Sequence, residues 1–134
     1  MGMSLAMVVL ATVGTQSPAP NASPADVAQA FYRLANQGKC REAEKLFTAE
    51  SVAVIRRTLK PEDGFASFCA SKGGKSPLTA LAVAREEMDG DRAIVAIIRT
   101  HGSDMAMETD ELVRQGGIWR IVVGESQNPA PPKQ

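Results

Sequence analysis

The second half of the chain consists of four strand-like segments separated by three short turns, each of which contains glycine. Asp89-Gly90 is the strongest turn signal, because a tight hairpin needs a positive φ that Gly and Asp tolerate. The turns join consecutive segments, so they predict an antiparallel meander. The four predicted strands cover residues 78–88, 92–100, 105–114 and 118–123.

The first half has the periodicity of helices. Ser23-Pro24-Ala25-Asp26 is typical of a helix start, in which Ser23 caps, Pro24 takes the first position and Asp26 completes a capping box. Apolar residues then recur on one face, and Gly38 can end the helix in a left-handed conformation. The pattern predicts a first helix over residues 24–37.

Shorter helical segments follow. The pattern of residues 39–47 predicts a second helix. Thr48 or Ser51 can cap a third helix, which ends before Pro61. One further turn is expected within residues 61–71, where it would pack Phe65 and Phe68. Helices followed by an antiparallel meander indicate an α+β fold, with N-terminal helices packed on a four-stranded antiparallel sheet.

The second predicted strand is apolar on both faces. Ala93, Val95 and Ile97 alternate with Ile94, Ala96 and Ile98, so something must cover each side. The helices cover one side. A second subunit is the simplest cover for the other, which predicts a homodimer through the sheet face, and a terminal segment folded over that face is the alternative.

The two ends of the chain differ in composition from its middle. Residues 1–14 are apolar and uncharged over a length that suits a signal peptide but is short for a membrane span, although no Lys or Arg precedes the apolar run. A buried N-terminal strand or helix is the alternative. We expect a linker over residues 15–23, one domain over 24–125 and a disordered tail over 126–134. The expected location is therefore periplasmic or secreted, with no membrane span after processing.

Charge and cysteine content exclude several kinds of site. Fifteen basic residues balance fifteen acidic ones, so no excess positive charge favours nucleic acid or an anionic membrane surface. In an exported protein Cys40 and Cys69 should form a disulfide. The chain has no Cys-x-x-Cys pair and a single His, so neither a metal site nor a cofactor is predicted.

Four short segments resemble the nuclear-transport-factor-two-like superfamily, which has a cystatin-like fold and includes ketosteroid isomerase and scytalone dehydratase. Residues 31–38 (FYRLANQG) and 43–47 (AEKLF) look like its opening helix pair, while 89–95 (DGDRAIV) and 116–121 (GGIWRI) look like its hairpin and closing strand. The most similar branch comprises small exported bacterial lumazine-binding-like proteins of unknown function. The resemblance implies a cone formed by helices and a curved sheet, and a dimer through the outer sheet face.

Enzymes of this superfamily place Tyr, Asp or His in the cone for proton transfer, and such residues are scarce in this chain. Tyr32 lies beside the apolar stripe of the first helix, which favours a flanking residue with its hydroxyl in water. His101, in a Gly-containing turn, is expected to be solvated. Glu108 and Asp110 share one strand face, where a desolvated carboxylate could act as a base, although a solvated face is the commoner arrangement.

Apolar residues from the helical half and from the strand-forming half of the chain could instead line a pocket for a small apolar ligand. At helix and strand spacing the same residues are more often core or interface. Gly74-Lys75-Ser76 matches only the end of a phosphate loop, and we interpret it as a polar loop. The candidate pocket residues are Phe31, Tyr32, Leu34, Phe65, Met105, Met107 and Trp119.

These observations favour a non-catalytic exported module that binds a small ligand or a protein, such as another protein of the cell envelope. One alternative is an isomerase, dehydratase or cyclase that uses Tyr32 with Asp110 or Glu108. Another is a structural component of the cell envelope.

Overall fold

A computed structural model describes residues 18–19, 21–59 and 64–123. Within these residues the chain forms helices first and an antiparallel sheet second, which confirms the predicted α+β class. No described helix is long and apolar enough to cross a membrane. The proposed signal peptide and tail lie outside the described residues. The elements are α1 (Pro24–Asn36), α2 (Cys40–Glu44), α3 (Ala49–Leu59), α4 (Gly64–Gly73), β1 (Ala80–Asp89), β2 (Arg92–His101), β3 (Asp104–Gln115) and β4 (Ile118–Val122).

Helix α1 begins and ends where local sequence predicts. Asp26 N donates to Ser23 Oγ at 3.1 Å and Ser23 N donates to Asp26 Oδ2 at 3.3 Å, so the capping box is confirmed. Pro24 occupies the first turn, where its missing N–H is harmless. Gly38 follows the helix with φ 77°, the left-handed conformation that glycine adopts without strain.

Helix α2 is shorter than predicted because the chain leaves it to pair with the sheet. Ile121 N donates to Leu46 O at 2.8 Å and Thr48 N donates to Ile121 O at 3.0 Å, forming a parallel bridge between Phe47 and β4. Thr48 then caps α3, accepting from Ser51 N at 3.1 Å. Helix α4 is ten residues long, where a single turn was expected.

The strands pair in sequence order, β1-β2-β3-β4, and every pair is antiparallel. Two residues form each turn, with Gly90 and Gly102 both at φ 65° and Gly116-Gly117 at 61° and 83°. These positive values suit primed hairpin turns, which follow the right-handed twist of the strands. The meander predicted from the sequence is confirmed, and the one irregularity in β1 is a register shift between Val83 and Arg85.

The core lies between the helices and the inner face of the sheet. Val95 and Ile97 of β2 are fully buried there, beside Leu112 of β3. All four phenylalanines of the chain pack together on the helical side, with ring centroids 5.0 to 6.2 Å apart. The interior is thus filled with aromatic side chains rather than left open.

Two contacts fix α4 against the rest of the domain. Cys40 and Cys69 form the expected disulfide, which joins the start of α2 to α4. Asn36, at the end of α1, donates through Nδ2 to Gly73 O at 2.8 Å and to Ser76 O at 2.9 Å, and its Oδ1 accepts from Leu78 N at 3.0 Å. This single amide therefore holds the connection between α4 and β1, the point at which the chain passes from helices to sheet.

Candidate functional site

A cluster of polar side chains crosses from α1 and α4 to the inner face of the sheet. Tyr32 is 1% exposed, and its hydroxyl donates to Asp110 Oδ2 at 2.9 Å. The interpretation of Tyr32 as a flanking residue with a hydroxyl in water is therefore wrong. Its ring packs edge-on against Phe31, with centroids 5.0 Å apart, so the phenol lies within the core while its oxygen meets a carboxylate.

The register of the sheet places the carboxylates. Asp110 lies opposite Val95 and Glu108 lies opposite Ile97, and both partners are fully buried on the face that meets the helices. Two residues apart on one strand, the carboxylates share that face, as the alternation predicted. The structure thus brings Tyr32, Asp110 and Glu108 together.

Two cations neutralise Glu108. Arg99 donates to Glu108 Oε2 through Nη2 at 2.7 Å and Nε at 3.2 Å, and Lys72 Nζ lies 3.4 Å from Oε1. The Arg99 guanidinium also lies 5.7 Å from the Tyr32 ring centroid, within cation–π range. Sequence patterns did not indicate Arg99 or Lys72, since no motif links a strand arginine to a lysine at the end of a helix.

His101 ends β2 at the margin of this cluster, half-buried and not simply solvated as expected. Its Nδ1 lies 2.9 Å from Ser76 O, a carbonyl that can only accept, so Nδ1 carries the proton. Nε2 is then the acceptor for Arg99 Nη1 at 3.3 Å. His101 therefore links the Ser76 carbonyl to Arg99.

The electrostatics follow from these contacts. Burial raises the pKa of Asp110 to about 6, although the Tyr32 hydrogen bond and the charge of Lys72 oppose this rise. Burial would raise the pKa of Glu108 too, but the hydrogen bond from Arg99 and the charge of Lys72 outweigh it and hold that pKa below its usual range. Burial and the Asp110 carboxylate raise the pKa of the Tyr32 phenol well above its ordinary value.

The cluster satisfies its own hydrogen bonds. Among the described residues, no buried side-chain nitrogen or oxygen lacks a partner, and no three His, Cys, Asp or Glu side chains are placed to hold a metal. Tyr32 keeps its proton at neutral pH and donates it in a hydrogen bond to Asp110. The pKa of Asp110, about 6, suits the exchange of a proton near neutrality.

The residues suggested for a ligand pocket do not form one site. Those from the helices and β4 are buried in the core, whereas Met105 is 70% and Met107 is 61% exposed on the opposite side of the sheet. A strand's side chains alternate between faces, so odd-numbered residues of β3 point away from the helices. The buried set comprises Phe31, Tyr32, Leu34, Phe65 and Trp119.

The outer face of the sheet is apolar at its centre. In the sheet, Ile98 of β2 lies between Ala82 of β1 and Met107 of β3, and it pairs with both. These three residues form a continuous apolar strip across three strands. Ion pairs lie beside this strip, one between Arg92 and Glu111. An apolar centre with a polar margin is the usual composition of a protein interface.

Solved structures share this architecture. A Campylobacter jejuni protein named as an NTF2-like transpeptidase superposes with a TM-score of 0.61 at 10% identity, covering 77% of this chain and 100% of that one. A SEC-C motif containing protein from Rhodopseudomonas palustris superposes with a TM-score of 0.58 at 18% identity, covering 80% of each chain. No protein-family model matches the sequence, and neither does any curated protein. At such low identity the likeness establishes the fold and not the activity, and the chain therefore has an NTF2-like α+β fold.

Proposed function

We propose that this protein is a non-catalytic, exported protein-binding module that forms a dimer through the outer face of its sheet. The observation that carries the proposal is the exposure of Met105 and Met107 on an apolar strip that no described segment covers. Exposed apolar area of this kind is stabilised when a partner removes it from water.

The interior of the domain supports binding of a protein rather than of a small apolar ligand. Phe31 and Phe65 are 2% and 3% exposed, and Phe68 packs against both of them. These rings occupy the space between helices and sheet in which a ligand would lie. The polar cluster beside them is internally paired, which favours a structural role for it.

Export is supported by the bond between Cys40 and Cys69, because disulfides persist in oxidising compartments. The apolar sequence of residues 1–14 is the second reason, since its length suits a signal peptide. We place the mature protein in the periplasm or outside the cell.

Light scattering after size exclusion tests the dimer. The wild-type protein should elute with twice the mass of one chain, and Met107→Glu should yield monomer because a charge buried in an interface must be desolvated. Met88→Glu is the matched control, since Met88 is 59% exposed but lies opposite the inner-face residue Ala93. A monomeric wild-type protein, or equal dissociation by both variants, would contradict the proposal.

A second candidate is an enzyme that transfers protons at Asp110. It is favoured by the 2.9 Å contact with Tyr32 and by a pKa of about 6, which suits a general base near neutral pH. The test is isomerisation of a β,γ-unsaturated ketosteroid, followed by the absorbance of the conjugated product. Turnover that Asp110→Asn abolishes would support the enzyme, and an equal rate in both proteins would exclude it.

A further inference from the structure

A basic groove lies along α2 and α3, at the edge of the sheet formed by β4. Its central part has a volume of about 840 Å³ and shares no residue with the polar cluster described above. The groove is lined by Arg41, Glu44, Lys45, Phe47, Ala49, Val52, Ala53, Arg56, Gln115 and Arg120.

The groove carries four cations and one carboxylate, a net charge of three, in a chain whose total charge is zero. Glu44 is already engaged by Arg56, with Nη2 to Oε2 at 2.7 Å. Arg120 Nη1 donates to the Lys45 carbonyl at 2.8 Å, which fixes its guanidinium at the groove wall. Arg41 and Lys45 are exposed and have no ion-pair partner among the described residues. Positive charge is therefore concentrated in this groove and available to a partner.

Apolar side chains line the groove between the cations. Ala49 and Ala53 are exposed on α3, and beside them the edges of Phe47 and Val52, which are 4% and 8% exposed, reach the groove wall. A site with this lining binds apolar groups as well as charge, because contact with the groove removes apolar surface from water.

The groove is elongated. A depression of about 260 Å³ adjoins it through Lys45 and Arg120, and another of about 370 Å³ adjoins it through Arg41 and Arg56. Three depressions with shared walls suit an extended chain better than a compact ligand or a single phosphate group.

We propose that this groove binds an extended acidic segment of another protein, whose carboxylates meet Arg41 and Lys45 and whose apolar side chains contact Phe47 and Val52. Charge complementarity also argues against the ends of this chain as occupants. Residues 1–17 contain no acidic residue, and residues 124–134 contain one acidic and one basic residue. The site does not depend on self-association through the outer face.

Selection from a phage-displayed library of random dodecapeptides tests this site. Peptides enriched on the wild-type protein should combine Asp or Glu with aromatic or aliphatic residues. In fluorescence anisotropy, Arg41→Glu/Lys45→Glu should weaken binding of the leading peptide by about tenfold or more, because two attractive charges become repulsive. The control Arg57→Glu/Lys75→Glu changes the net charge equally outside the groove and should leave affinity within about twofold.

Several results would overturn the proposal. The first is enrichment of peptides that contain no acidic residue. The second is equal peptide affinity of Arg41→Glu/Lys45→Glu and of its control. The third is a selection in which the wild-type protein enriches no peptide more strongly than Arg41→Glu/Lys45→Glu does. Binding to vesicles of phosphatidylcholine with phosphatidylglycerol, but to no peptide, would identify a lipid surface instead. Met107→Glu should bind the peptide as the wild type does, which separates failure of this site from failure of the dimer.

Discussion

At the scale of single residues, Asp110 is held between opposing influences. Burial disfavours its carboxylate, while the Tyr32 hydroxyl and the charge of Lys72 favour it, and the outcome is a pKa of about 6 against an ordinary value of 3.8. The folded protein therefore holds this proton more tightly than the unfolded chain does. Between these two values stability falls as pH rises, because deprotonation is easier after unfolding.

The unfolding free energy of the wild-type protein should decrease by about 1 kcal/mol between pH 5 and pH 7 because of Asp110. Urea denaturation at both pH values measures this change. Asp110→Asn should remove the slope, because an amide does not titrate. Glu108, whose pKa is lowered, contributes stability that is lost only as pH falls below about 4.5, outside this window. An unchanged slope in Asp110→Asn would rule out the assignment.

Tyr32→Phe should destabilise the fold by about 1–2 kcal/mol at pH 7, because the buried Asp110 carboxylate loses its donor. The same change should raise the pKa of Asp110 above 6, since the Tyr32 hydrogen bond lowers it. Urea denaturation measures the stability, and carbon NMR of the labelled carboxyl group measures the pKa. A pKa that stays at 6 would show that Tyr32 does not stabilise the anion.

The sequence indicated Tyr32, Glu108 and Asp110 as members of this site, but not the cations beside them or the burial of Tyr32. Alternation along β3 correctly predicted that Glu108 and Asp110 share a face. It could not show that Tyr32 points at them, because the two segments are 78 residues apart and only tertiary packing joins them. Asn36 was missed for the same reason, since its partners lie 37 to 42 residues away. Arg99 was missed although Glu108 is only nine residues away, because the two face each other across neighbouring strands and no motif marks the pair.

At the scale of elements, α1 and α4 approach closely at Gly73. A Cβ built at this position would lie 2.4 Å from the Ala35 carbonyl oxygen, a backbone atom that cannot move aside cheaply. Glycine is therefore required here for space and not for a positive φ.

Gly73→Ala should destabilise the fold by about 2–3 kcal/mol, as expected for a forced clash in a packed contact. Gly102→Ala is the control, because it has open space around it and only the strain of a positive φ, which costs about 1 kcal/mol. Thermal and urea unfolding of the two variants should rank them in that order, and a reversed order would contradict the close contact.

Reduction of the Cys40–Cys69 bond should lower the unfolding free energy by about 3–4 kcal/mol. The bond joins cysteines 29 positions apart, and breaking it raises the conformational entropy of the unfolded chain. Urea denaturation with and without a thiol reductant measures the difference. Cys40→Ala/Cys69→Ala should be equally destabilised and insensitive to the reductant. A reductant effect in that double variant would indicate another cause.

The elements with strong local signals were those that sequence predicted well. Ser23, Asp26 and Gly38 define α1 through contacts with residues only a few positions away. The length of α2 was wrong because the Phe47 bridge to Ile121 is non-local. The length of α4 was underestimated, because its small and aromatic residues are arranged with little amphipathic periodicity.

At the scale of the whole molecule, self-association should appear in the stability itself. Dimers gain apparent stability by mass action, so the thermal midpoint of the wild-type protein should rise with protein concentration. Met107→Glu should show no such dependence, while Met88→Glu should behave as the wild type does. Differential scanning calorimetry over a hundredfold range, about 2 to 200 μM, tests this expectation. A midpoint that is independent of concentration in all three proteins would exclude the dimer.

The two edges of the sheet are protected in different ways, and this limits the pairing of an edge strand with a strand of another molecule. The Leu46 carbonyl and Thr48 amide occupy hydrogen-bonding groups of Ile121, so a foreign strand cannot align along the whole of β4. On β1, the register shift beside Val83 makes the edge irregular, and Arg85, Glu86 and Glu87 place three consecutive charges on it. Both features disfavour the pairing of a foreign strand with this edge. Neither edge offers a free flat strand, so the fold resists the open-ended growth that leads to fibrils.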